Sequence, residues 1–283
     1  MSGEAPVAVP SAQAVTGSIE LFESGFMADC TVKCGDHAWR LHKIILCTQS
    51  EFFRAAFMGN FAEAQAGEVV LEEQDPDIVE FALRFIYSKS LSHISGVFTP
   101  EAKDYDSLDA FEVCVPLYAL AQFLQMDALC EDIATHLLRF NQSGAHALQR
   151  WWRSEGHSER VLSPEFQARF ANLARAAYSL PQVGPNATRE WSIRTSFLDY
   201  IIFRRFLVLR DPSFFDIIGA EAPSLLSRVT LSIDFYGAAP YLVSRRDRCL
   251  KCRKNPLFRE DGEVNYGTNF WISVNKCYDC RYL

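Results

Sequence analysis

Between Met27 and Tyr87 the spacing of apolar residues changes repeatedly, and those changes constrain the fold more than any other feature of the chain. Met27-Ala-Asp-Cys-Thr-Val-Lys-Cys34 alternates small or apolar residues with polar ones, as a half-buried strand does. Gly35-Asp36 is a turn signal and His37-Ala-Trp-Arg-Leu41 alternates again, which predicts a β-hairpin. From His42 to Cys47, and again from Ser50 to Phe61, the period lengthens to that of a helix. Glu68-Val-Val-Leu71 predicts a third short strand. Asp75-Pro76 opens a helix whose apolar stripe is Ile78, Phe81, Ala82, Phe85 and Ile86. Hairpin, two helices, strand and helix make a compact α+β unit. No Gly-rich phosphate loop, nucleophile elbow or paired-carboxylate pattern accompanies it, so the expectation is a protein that is not an enzyme.

The same residues resemble a known family. Asp29 before the first strand, Leu41-His42-Lys43 entering a helix, Leu46 and Ser50-Glu-Phe-Phe53 follow the BTB (POZ) domain pattern. So do Phe61-Ala62-Glu63, the Val-Val-Leu strand, Asp75-Pro76 and the closing Phe85-Ile86-Tyr87. The resemblance continues through Val115-Pro-Leu-Tyr-Ala-Leu-Ala121, Met126 and Leu129, and spans residues 18–141. It implies a short three-stranded sheet flanked by helices, in a form like that of fungal BTB proteins. It also implies protein-protein interaction and a homodimer.

Phe61-Ala62-Glu63 falls where BTB proteins that recruit the third cullin carry a hydrophobic-x-Glu contact. By that resemblance Phe61 would fill a pocket on the cullin and Glu63 would add a polar anchor. The alternative is that Phe61 packs locally and Glu63 is merely solvated. Asp29 and Lys43 match the charged pair beneath the family's dimer groove. They are read either as a partner pocket or, with more physical reason, as a desolvated pair holding the hairpin to the first helix.

Around this domain the chain divides into several pieces. Residues 1–17 read as a flexible tail, with Ser18 beginning a short helix. Residues 88–110 form an insertion, longer than most loops in compact domains. Phe111–Leu124 and Asp127–Phe140 predict two helices, with Pro116 near the start of the first. Asn141-Gln-Ser-Gly144 marks a boundary. Residues 145–237 predict an all-helical extension, with Ser163-Pro164, Asp211-Pro212 and Ala222-Pro223-Ser224 as helix starts. No internal repeat appears.

Residues 240–283 carry the chain's clearest metal signal. Cys249-Leu-Lys-Cys252 and Cys277-Tyr-Asp-Cys280 are two Cys-x-x-Cys knuckles separated by 24 residues. Four thiolates so spaced predict one tetrahedral, structural Zn²⁺ in a small zinc-ribbon-like segment. So short a segment cannot build an adequate core, and structural zinc supplies roughly 10 kcal/mol or more of apparent binding energy. Four protein ligands leave no open position for catalysis.

Charge adds a second reading of this segment. The chain's net charge is −7, but residues 245–283 hold nine Lys/Arg against five Asp/Glu, a local +4. With Phe258, Tyr266, Phe270, Trp271, Tyr278 and Tyr282, that ribbon could contact nucleic acid, as a transcriptional or chromatin regulator would. The first expectation is different: a self-associating interaction protein serving as substrate adaptor for a cullin-type ubiquitin ligase. No signal peptide or membrane span is legible, and nine cysteines read as thiols or metal ligands. The expected compartment is therefore the cytoplasm, the nucleus or both.

Overall fold

The computed structural model describes residues 13–91, 107–155, 162–181, 192–203 and 212–235. These fall into two compact units. The first is drawn from Met1–Phe98 and Pro116–Asp132, the second from Thr99–Val115 and Ile133–Leu283.

The first unit opens with α1 (Gln13–Ser24), which starts five residues before the helix expected at Ser18. The predicted hairpin follows as β1 (Cys30–Cys34) and β2 (His37–Leu41), antiparallel, with Val32 opposite Trp39. Gly35 turns it at φ +52°. Next come α2 (Lys43–Gln49), α3 (Glu51–Met58), α4 (Ala62–Ala66) and β3 (Glu68–Val70). β3 lies parallel to β1, so the sheet order is β2-β1-β3 with the first strand in the middle. The period of two sorts β1 cleanly: Cys30, Val32 and Cys34 face the core, while Thr31 and Lys33 face outward. On the outer face Lys33 pairs with Glu68 of β3 at 2.7 Å.

α5 (Pro76–Ser88) starts as predicted: Asp75 accepts a hydrogen bond from the Asp77 N–H, with Pro76 in the first turn. Its buried face includes Ile78, Val79, Ala82, Leu83 and Ile86. These join Val32, Leu41, Leu46, Phe53 and Val69 in the core.

α6 (Asp109–Phe123) and α7 (Asp127–Glu155) depart from expectation. Because α6 begins at Asp109, Pro116 lies inside the helix instead of near its start, and the carbonyl of Glu112 has no helical N–H donor there. No boundary falls at 141–144 either, for α7 runs straight through. Asn141 is buried, and its side-chain amide donates to the Ser196 carbonyl at 3.0 Å. A polar cluster that reads as a break is used here as a packing contact.

The second unit adds α8 (Pro164–Ser179), α9 (Ile193–Phe203), α10 (Pro212–Glu221) and α11 (Pro223–Phe235). Ser163 caps α8 by accepting from the Phe166 N–H. The core of this unit is aromatic: Phe111, Phe170, Phe197, Tyr200 and Phe214 are all fully buried. Ring centroids lie 4.6 Å apart for Phe111–Phe197 and 5.3 Å for both Phe170–Tyr200 and Phe170–Phe214. Among the described residues no helix is long and apolar enough to cross a membrane.

Candidate functional site

The residues that the sequence singles out in the first unit gather around α3 and α4. Ser50 sets this region. Its hydroxyl accepts from the Phe53 N–H, capping α3, and donates to the Leu124 carbonyl at 2.6 Å. One buried side chain therefore starts α3 and ties it to the end of α6. As a result the Phe123 ring lies against Phe52, with centroids 4.9 Å apart.

Helical spacing puts Phe52, Ala55, Ala56 and Gly59 on one face of α3, with Phe53 and Phe57 turned to the core. At the far end of that face the Phe61 ring lies against Gly59. The helix expected to reach Phe61 stops at Met58, because Gly59 closes it at φ −81°, ψ −174°. Phe61 is instead the N-cap residue of α4, with its carbonyl accepting from the Ala64 N–H. Its side chain is 59% exposed; Met58 is 75% exposed and Phe123 53%. Two turns of helix, roughly 10 Å, separate the ends of this aromatic strip.

Glu63 lies in the first turn of α4, exposed, and its carboxylate has no ion-pair or hydrogen-bond partner among the described residues. A carboxylate there is favoured by the helix dipole. Phe61 and Glu63 thus stand together, solvent-accessible and uncommitted to the core.

Asp29 and Lys43 lie at the other end of the short α4. Gly67, its C-cap at φ +66°, sits where a side chain would meet the Asp29 carbonyl at 3.7 Å and the Lys43 Nζ at 3.8 Å. The expected buried charge pair is not what joins them. The Asp29 carboxylate accepts from the backbone N–H of Lys43 at 2.7 Å, so it caps α2 from fourteen residues away. The Lys43 ammonium instead lies 5.5 Å from the centre of the Phe57 ring. Asp29 is exposed and Lys43 half-buried, so neither charge is desolvated enough to need the other.

Beside them, burial first and the Asp29 charge second push the Cys30 thiol up to about 12. Cys47 is raised for the same reasons. Burial thus favours the protonated thiol at both positions. None of the five described cysteines, Cys30, Cys34, Cys47, Cys114 and Cys130, is in a disulfide.

A second fastening holds the loop before β1. The Phe26 carbonyl can only accept, so His42 Nε2–H donates to it at 2.7 Å and Nδ1 is left to accept from the Tyr87 hydroxyl at 2.9 Å. The His42 backbone N–H also donates to that hydroxyl, at 3.1 Å. Burial raises the Tyr87 pKa, so the phenol keeps its proton. This buried network pins the loop carrying the exposed Phe26 and Met27 to the start of α2, where Ile44 is exposed as well.

Phe123 and the strip role of Phe52 were not legible beforehand. α6 is apolar nearly all round, so its sequence does not say which ring is left outside. Cys249, Cys252, Cys277 and Cys280, with the aromatics of the same segment, lie outside the described residues, as do 92–106 of the insertion. Among the described residues no cluster of His, Cys, Asp or Glu is placed to hold a metal.

Residues 19–141 match the family described as "BTB/POZ domain". Human Kelch-like protein 41 is 31% identical over 103 residues, 35% of this chain and 17% of that protein. Kelch repeat and BTB domain-containing protein 4 of Macaca fascicularis is 26% identical over 153 residues, 54% of this chain and 25% of the relative. The matches therefore span a quarter or less of those relatives' own length. Among solved structures, the BTB domain of zebrafish PATZ1 is 18% identical over 47% of this chain and 99% of that one, at a TM-score of 0.34.

Proposed function

We propose that this protein is a non-catalytic interaction module whose BTB/POZ domain binds other proteins, and that it serves as a substrate adaptor for a cullin-type ubiquitin ligase. The observation that carries the reading is Phe61 with Glu63: an exposed ring and a free carboxylate, two residues apart, at the position of the family's hydrophobic-x-Glu contact. Phe61 would enter an apolar pocket of the third cullin, Glu63 would anchor it by charge, and the strip through Phe52 to Phe123 would extend the contact. An adaptor of this kind accelerates ubiquitin transfer by raising the effective concentration of target at the ligase. Its own side chains do no bond chemistry. Pull-down of the cullin by wild type and its loss in Phe61→Ala/Glu63→Ala is the expected result. Equal capture by both proteins would sink the contact.

Self-association belongs to the same reading. Phe26, Met27 and Ile44 are exposed apolar side chains on the segments that His42 and Tyr87 fasten together, and homodimerisation would cover them. Sedimentation should show a dimer at micromolar concentration and a monomer for Ile44→Asp; a wild-type monomer would remove the dimer.

Zinc on Cys249, Cys252, Cys277 and Cys280 remains part of the proposal, on the strength of the knuckle spacing. Metal analysis of the full chain should find zinc that disappears when the four become serine. The described cysteines, none of them in a disulfide, fit a reducing compartment, cytoplasm or nucleus.

A further inference from the structure

We infer that Gly59 is the positioning residue for Phe61: the missing side chain is the seat on which the ring rests, and this holds Phe61 outward as a preformed anchor. The inference rests on the adaptor reading for its consequence, but not for its geometry. A Cβ at Gly59 would stand 2.8 Å and 3.0 Å from two atoms of the Phe61 ring, and 2.5 Å from the Ala55 carbonyl oxygen. Contacts under 3 Å are not tolerated by real Cβ atoms, so any other residue at 59 displaces the ring, the end of α3, or both. Positive φ is not the reason for glycine here, since Gly59 has φ −81°. Space for the ring and for the helix end is.

The main chain of Phe61 is held from both sides. Gly59 N–H donates to the Ala55 carbonyl at 3.0 Å, and the Phe61 carbonyl accepts from Ala64 N–H at 3.1 Å. With the backbone held and the Cδ2–Cε2 side of the ring against Gly59, the ring stays 59% exposed yet is restrained on that side. An apolar anchor ordered before binding does not lose its rotamer freedom on docking, which strengthens binding without adding a contact. Glycine at 59 would thus set affinity although it offers a partner no side chain.

The experiment uses the full-length chain, selectively labelled at glycine, with the purified third cullin as probe. A ring packed against Gly59 shifts its α-protons in the NMR spectrum through the ring current, and Phe61→Ala abolishes the shift. Absence of that shift in wild type, or its survival in Phe61→Ala, overturns the seat. Binding is then measured for wild type, Gly59→Ala, Phe61→Ala and the double variant. Gly59→Ala should weaken binding about fivefold to tenfold in the wild-type background, the size of one lost ordered side chain. It should change nothing further in the Phe61→Ala background. Equal losses in both backgrounds would mean that Gly59 acts through the end of α3 and not through the ring, which overturns the inference. If wild type captures no cullin, the adaptor reading fails by itself, and the α-proton shifts still decide whether Gly59 seats the ring.

Discussion

The two units of this molecule use the same residue type in opposite ways. In the second, Phe111, Phe170, Phe197, Tyr200 and Phe214 lock together with essentially no surface left to water. In the first, Phe52, Phe61 and Phe123 line an outer face of α3, partly or largely exposed. The difference lies in what the backbone provides. Around Phe197, α6, α8 and α9 each contribute an aromatic ring, and the rings fill one another's gaps. Around Phe61, one glycine and a turn provide a seat on one side only. An aromatic residue is core or anchor according to how many faces its surroundings cover.

The sharpest way to break this contrast is to truncate one ring from each set. Phe197→Ala should cost about 4 kcal/mol of stability, since a fully buried ring leaves both lost transfer energy and a cavity. Phe61→Ala should cost under about 1 kcal/mol, because the ring is largely in water already. Denaturant unfolding of the full-length variants reads both. Similar costs would mean that the two sets of rings are not used differently.

Much of the first unit was legible in the sequence because each of its elements has a local cause. Alternation gave β1 and β2, Gly35-Asp36 their turn, and Asp75-Pro76 the start of α5. Where local rules met tertiary packing they failed. Asn141-Gln-Ser-Gly144 has the composition of a break, yet the Asn141 amide finds the Ser196 carbonyl from inside α7. Pro116 looks like a first-turn proline until α6 is seen to begin at Asp109. The site was half legible. Phe61 and Glu63 stood out by position, whereas Phe123 depended on a bond from Ser50 to Leu124, 74 residues apart. No pattern in a single sequence announces a contact of that range. Asp29 meets Lys43 through its backbone N–H, as a cap and not through their charges.

A second contrast concerns polar groups. In the second unit one carboxylate is held in unfavourable surroundings: burial raises Asp199 from 3.8 to about 6, and the Arg228 charge opposes this only in part. Arg228 is occupied at long range by the Tyr178 hydroxyl at 3.4 Å and the Thr195 hydroxyl at 3.5 Å. A carboxyl whose folded pKa is raised binds its proton more tightly in the folded state. Its contribution is therefore best below pH 4 and is lost as pH rises through about 6. Asp199→Asn should accordingly stabilise the protein by about 3 kcal/mol at pH 7.5 and by little near pH 4. Unfolding at the two pH values separates this from a packing effect, which would be the same at both.

The first unit's carboxylates stand at the surface, and the smallest effect belongs to one of them. Asp29 caps α2 through the Lys43 N–H, and an exposed cap of this kind contributes about 1 kcal/mol. Asp29→Ala should lose that amount, while Asp29→Asn should keep most of it, because an amide oxygen can accept the same bond. The pair of variants separates cap from charge. If the groove beside Asp29 recruits a partner through its charge, Asp29→Asn will bind that partner less well at unchanged stability. If Asp29 is there to start α2, binding will follow stability through both variants and Asn will behave as wild type. The 2.7 Å bond to a backbone N–H, with the Lys43 ammonium turned to Phe57, favours the second outcome.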